Sequence, residues 1–185
     1  MDKDAIRYNC FLNGDDSVLC EIVKDHKDGL IFFINGYVNN IYLAEELMEE
    51  TFFKIIVKRP KFSEKYSFKT YLYTVGRNVA IDYIRHNSKQ SDLSISDIEG
   101  VLSDESDLEN MYIAEERKSV LYKALKELKD EYRHVLYLIY FENFSHTDAG
   151  KIMKKNARQM KNLMYRAKNA LKNELIKEGF VYEEL

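Results

Sequence analysis

Between residues 43 and 57, Ala44, Leu47, Met48, Thr51, Phe52 and Ile55 recur at helical spacing, while Glu45, Glu46, Glu49, Glu50 and Phe53 fall on the opposite side. A period of 3.6 with one apolar face predicts an amphipathic helix. A second is predicted from about Ser67 to His86, where Phe68, Leu72, Val75, Val79 and Tyr83 make an apolar stripe and Thr70, Thr74, Arg77, Asn78 and Arg85 a polar one. In the carboxy-terminal part, Leu121, Leu125 and Leu128 form another stripe, and the apolar run HVLYLIYFENF follows a break at Lys129 to Glu131. Ser145, with Asp148 three positions on, predicts a capped short helix through Met153, and Asn156 predicts the cap of a last one. That last helix sorts into Met160, Leu163, Met164, Ala167 and Leu171 on one face and Arg158, Lys161, Asn162, Tyr165, Asn169 and Lys172 on the other. Two helices joined by three or four residues form a helix-turn-helix.

The stretch from Ser88 to Asn110, SKQSDLSISDIEGVLSDESDLEN, breaks this periodicity. It is rich in Ser and Asp and poor in large apolar residues, and reads as a flexible acidic linker. The expected fold class is therefore all-α, with two small helical domains: residues 1–90, a linker over 91–113, and residues 114–185. One proline and seven glycines in 185 residues leave long helices almost unbroken, and 45% hydrophobic residues suffice for a core.

The total charge, 28 basic against 31 acidic side chains for a net −3, argues at face value against a nucleic-acid binder. Its distribution reverses that. Residues 1–50 carry net −7, 51–90 net +7, 91–116 net −9 and 117–185 net +6. Salt screens charges beyond roughly 8 to 10 Å, so two cationic stretches act locally whatever the total.

Cys10 and Cys20 show neither a CxxC spacing nor a neighbouring His cluster, and read as free thiols of a reducing compartment. His26, His86, His134 and His146 are isolated, so neither metal-ligand nor triad spacing is present, and neither a cofactor nor an enzymatic activity is expected. The amino terminus lacks a signal-peptide pattern, and runs such as Leu30 to Ile34 are too short to span a bilayer, so a cytoplasmic protein is expected.

Candidate chemistry lies on three helices. From Lys151 to Lys172 there are 8 basic residues and none acidic. Arg and Asn near the start of such a helix can bind guanine and adenine bidentately in the major groove, and lysines further along can hold phosphates. The same amphipathic pattern also fits a membrane-surface or partner-binding helix. Around the Ser67 to His86 helix, Lys61, Lys65, Lys69 and Lys89 with Tyr66, Tyr71 and Tyr73 combine phosphate attraction with flat faces for unstacked bases. A solvated cationic helix with half-buried tyrosines explains that pattern equally. The carboxylates of the 43–57 helix either point into water or await a basic partner.

The segments AEELMEETFFKIIVKRPKF and SFKTYLYTVGRNVAIDYIRH, an acidic linker, LKDEYRHVLYLIYFENFSHTDAGKIM and a basic helix containing MYRAKNAL follow one another in an order that resembles an extracytoplasmic-function sigma factor of bacterial RNA polymerase. The resemblance covers nearly the whole chain. It implies that Glu45, Glu46, Glu49 and Phe53 face the clamp of the largest polymerase subunit. It implies that Lys69, Tyr71, Tyr73, Arg77, Asn78, Asp82 and Arg85 lie where the minus-ten promoter element is melted and a base flipped. Arg158, Gln159, Lys161, Asn162, Tyr165, Arg166 and Lys172 would read the minus-thirty-five element. It further implies an anti-sigma factor as partner, and a linker that threads toward the polymerase active site. A stand-alone helix-turn-helix regulator is the alternative. Departures from the family pattern are Tyr71 for a Trp-Leu pair, Glu49 for Gln, Ala149-Gly150 for Ile-Ala, and Lys154-Lys155 for a Gly and an apolar residue. Gly150 suggests looser packing of the second domain, since helical Gly costs about 1 kcal/mol relative to Ala.

Overall fold

A computed structural model describes residues 2–60, 66–88 and 120–179. The linker expected over 91–113, together with Lys61, Lys65 and Lys89, lies outside them. Every element among the described residues is helical: α1 (Lys3–Leu12), α2 (Ser17–Val38), α3 (Ile41–Lys58), α4 (Phe68–Ser88), α5 (120–126), α6 (Asp130–Leu136) with a π turn at Tyr137–Phe141, α7 (His146–Ile152) and α8 (Ala157–Lys177). The expected α3 face is buried as predicted, with Ala44, Leu47, Met48, Thr51, Phe52 and Ile55 inside.

Helices α1 to α4 pack around α2, whose Ile22, Leu30, Phe33 and Ile34 are buried. The start of α4 is secured twice. Ser67 Oγ accepts the Thr70 N–H at 3.1 Å, and the Phe68 N–H donates to Asp2 Oδ2 at 2.7 Å. Asp2 Oδ1 also accepts the Asp4 N–H, so one carboxylate caps two helices. Tyr8 fills the gap between α1 and α4, its ring 4.7 Å from that of Phe68 and its hydroxyl donating to the Pro60 carbonyl at 2.9 Å.

Helices α6, α7 and α8 pack on one another, and with α2 and α4 they share a continuous apolar core. The seam runs along one face of α2. Tyr137 stacks on Phe32 with ring centroids 4.6 Å apart, and His134 stacks on Tyr37 at 3.7 Å. Lys69 of α4 pairs with Glu142 at 2.8 Å, and Tyr137 Oη lies 2.8 Å from the same carboxylate and 3.1 Å from the Gly29 carbonyl. Burial alone would push the Glu142 carboxyl up; hydrogen bonds from Lys69 and Tyr137 draw it below the usual carboxylate range.

The helix-turn-helix is tighter than Gly150 suggested. A Cβ at that position would stand 2.9 Å from both the Lys155 carbonyl oxygen and Met160 Cγ, so its absence lets the turn close on α7. The Lys155 N–H donates to the Gly150 carbonyl at 2.7 Å. The strain sits one position earlier than the packing, at Lys154, whose φ of 56° is left-handed. A non-glycine residue costs about 1–2 kcal/mol there. Lys154→Gly is expected to stabilise the protein by about 0.5–1 kcal/mol in urea denaturation, after the greater freedom of glycine in the unfolded chain is subtracted.

Acid acts on the seam through His134. Burial, with the charges of Arg133 and Arg77 nearby, lowers its pKa to about 3 from the ordinary 6.5. Below pH 6.5 the unfolded chain takes up a proton that the folded one refuses, so stability falls as pH drops from 6.5 toward 3. Between pH 6.5 and 5, above the carboxylate range, the loss reaches about 2 kcal/mol. Denaturation across that window is expected to give a flatter slope for His134→Phe, whatever its absolute stability.

Candidate nucleic-acid interface

Helix α7 begins at Ser145, whose hydroxyl oxygen accepts the Asp148 N–H at 3.0 Å. The Asp148 carboxylate accepts a hydrogen bond from the Ser145 hydroxyl at 2.6 Å, so this acidic residue orients the cap and does not reach back to the backbone. Helix α8 begins with a full capping box: the Gln159 N–H donates to Asn156 Oδ1, and the Asn156 N–H to Gln159 Oε1, both at 2.9 Å. The side-chain oxygen of Gln159 is thereby committed to the helix start, a role its placement among the DNA-facing residues did not anticipate.

Behind the caps, Met160, Leu163, Met164 and Ala167 are buried against α6 and α7. Arg158, Gln159, Lys161, Asn162, Tyr165, Arg166, Asn169 and Lys172 are all exposed, Tyr165 by 69%. The face is cationic because no carboxylate interrupts it before Glu174. Gln159, Asn162 and Arg166 border a hollow of about 240 Å³, whose far wall is Glu131 paired to Lys155. A rigid helix with Arg, Lys and Asn exposed along one side can enter a groove, donate to base edges and neutralise phosphates.

The α4 stretch divides. Asp82 and Arg85 are exposed and lie 3.9 Å apart, and Tyr71, Arg77 and Asn78 are half-buried. Lys69 is drawn to Glu142, and Tyr73 is fully buried, its ring 5.2 Å from Phe33 and 5.0 Å from Phe144. The expectation that Tyr66, Tyr71 and Tyr73 offer open faces therefore does not describe this conformation. Tyr66 lies beneath the Lys151 ammonium, and Tyr73 faces the second group of helices. Its hydroxyl lies near the Glu142 carboxylate without forming a well-aligned hydrogen bond, and burial, then that charge, push its ionisation up.

On α3, Glu45, Glu46 and Glu49 are exposed as expected, and so is Phe53, by 64%. Val57 and Tyr42, not singled out in the sequence, are exposed by 62% and 73% and extend the apolar part of that surface. An i, i+4 pairing of Phe53 with Val57 on the outward side was the available signal.

Two family models match the chain: Sigma-70 region 2 over residues 22–90 and Sigma-70, region 4 over residues 118–171. The chain is 29% identical over 152 residues to the ECF RNA polymerase sigma factor SigM of Bacillus subtilis, covering 82% of this chain and 91% of the relative. It is 25% identical over 170 residues to SigW of the same organism, covering 88% and 91%. Among solved structures, CnrH in complex with the cytosolic domain of CnrY superimposes with a TM-score of 0.66 at 16% identity, over 95% of this chain and 99% of that one. The sigma factor RpoE in complex with the anti-sigma factor NepR from Bartonella quintana gives 0.61 at 24% identity, over 85% and 95%. With both regions matched in order, helices in the same arrangement and a capped last helix that exposes a cationic face, the chain belongs to the sigma-70 family and is an RNA polymerase sigma factor of the extracytoplasmic-function type.

Proposed function

We propose that this sigma factor divides its work among three surfaces, within the domain limits 1–90 and 114–185. The exposed face of α3, with Glu45, Glu46, Glu49 and Phe53, docks on basic clamp helices of core polymerase. The α4 stretch, with Lys69, Tyr71, Tyr73, Arg77, Asn78, Asp82 and Arg85, meets the minus-ten element. The α8 face reads the minus-thirty-five element. The observation that carries this reading is the sorting of α8 into a buried apolar stripe and an exposed face on which Arg158, Lys161, Asn162 and Arg166 stand behind a capping box.

The chain itself does no chemistry in this reading. It positions polymerase in the cytoplasm, and no helix among the described residues is long and apolar enough to cross a membrane. Its solved structural relatives are complexes with a second protein, CnrY in one and the anti-sigma factor NepR in the other, which supports control of this chain by an anti-sigma factor.

Run-off transcription with core polymerase on the DNA upstream of the chain's own gene is expected to give a discrete transcript that depends on the protein. No specific transcript would refute the reading, and tight promoter binding without core would favour a stand-alone regulator. Within a promoter library, Arg158→Ala and Asn162→Ala are expected to cost about 1–3 kcal/mol at preferred base pairs only. Lys172→Ala is expected to weaken binding to all sequences alike and to reduce the salt dependence by about one ion.

A further inference from the structure

Four non-glycine residues among the described ones take a left-handed backbone: Asn39, Arg59, Asn143 and Lys154. Asparagine tolerates that region, because its short amide can bond locally to the backbone. Arg59 offsets its strain through its side chain, whose guanidinium lies 4.7 Å from the Phe11 ring centroid and 3.2 Å from the Asp16 carboxylate. Lys154 has neither reason. It is exposed, and among the described residues no carboxylate or ring holds its ammonium. Glycine would adopt the same backbone at no steric cost. A strained conformation that the surrounding packing does not offset points to a use outside the fold.

Its two lysine neighbours are committed. Lys151 lies over the Tyr66 ring, and Lys155 pairs with Glu131 of α6 at 2.5 Å, with only 24% of its side chain exposed. Lys155 also lines the hollow that Gln159, Asn162 and Arg166 border, so its compensated charge stands next to the exposed face of α8. Lys154 lies two residues before the Asn156 cap, at the amino-terminal end of the same helix.

We propose that Lys154 binds a backbone phosphate of promoter DNA, and that Glu131 holds the charge of Lys155 out of that interface, so the turn contributes one cation to DNA where its sequence offers two. This rests on the reading of α8 as the promoter-facing helix. A phosphate neutralised by an uncommitted ammonium releases its counterions. An ammonium already facing a carboxylate gains little from the strand, because the carboxylate repels the same phosphate. The left-handed turn is then a stability cost retained for binding, and substitution at one position separates the two properties.

The test uses holoenzyme reconstituted from core polymerase and the full chain, on the DNA upstream of the chain's own gene, with affinity measured between about 50 and 200 mM salt. For Lys154→Gln the affinity deficit is expected to be several-fold at the lower concentration and to shrink about 3.5-fold across the range, as one lost phosphate contact requires. Lys154→Gly is expected to show the same deficit although the protein is more stable in urea. Lys155→Gln is expected to keep the parent's salt slope. Glu131→Gln is expected to bind more tightly with a slope steeper by about one ion, because Lys155 is released. A Lys154→Gln slope equal to the parent's would overturn the proposal, and so would equal losses for Lys154→Gln and Lys155→Gln. Were Lys154 kept only to favour the carboxy-terminal end of α7, Lys154→Gln would lower stability and leave the slope untouched. Asn162→Ala on the same DNA separates the two possible failures. If it weakens binding and Lys154→Gln does not, only the lysine assignment falls; if neither changes binding, the promoter reading of α8 falls with it.

Discussion

Glu142 enters the seam as a charged group, and the desolvation this entails dictates what can surround it. A buried carboxylate stays ionised only where donors replace the water it has lost. Lys69 supplies charge and hydrogen bonds, and the Tyr137 hydroxyl a further donor on the other oxygen. Those donors come from opposite sides of the seam, and they meet because Gly29 leaves room above α2. Remove the space and the carboxylate cannot enter; remove the lysine and it is buried unpaired. The aromatic rings on either side, Phe32 against Tyr137 and Phe144 against Tyr73, exclude water and thereby strengthen the pair they enclose.

Much of this fold is written locally. The stripe of α3 and both faces of α8 follow from a 3.6-residue period, and Ser145 and Asn156 announce their helices because their side chains satisfy amide groups only a few residues away. The α8 candidates were legible for the same reason: a residue opposite a buried stripe is exposed unless something covers it. Tyr73 was not legible. It lies off the main apolar stripe of α4 and is buried by Phe33 and Phe144, and Phe144 lies 71 positions away in sequence. Periodicity carries no information about such a partner. Gly36 was equally silent, because a glycine in a helix reads as a local weakness until the ring that fills its notch is seen.

Gly150 and Lys154 make the same point in opposite directions. Gly150 costs helical propensity but permits a contact that a methyl group would forbid, and so tightens the unit. Lys154 keeps a side chain where the backbone turns left-handed, and its exposure leaves that strain without compensation in the packing. The turn between α7 and α8 thus trades backbone comfort for one more cation close to the exposed cationic face of α8.

The π turn at Tyr137–Phe141 is an α-helix carrying one residue too many, seen in the Glu142 N–H that reaches back five positions to the Tyr137 carbonyl at 3.1 Å. Each residue of a helix advances it by about 100°. Deleting the single codon for Tyr140, an exposed residue of this turn, would restore ordinary winding and swing Glu142 about a quarter of a revolution away from Lys69, with the seam side chains themselves unchanged. Insertions and deletions here are therefore the genetic changes that set whether the two halves of the molecule recognise each other, and point substitutions act only within the register they establish.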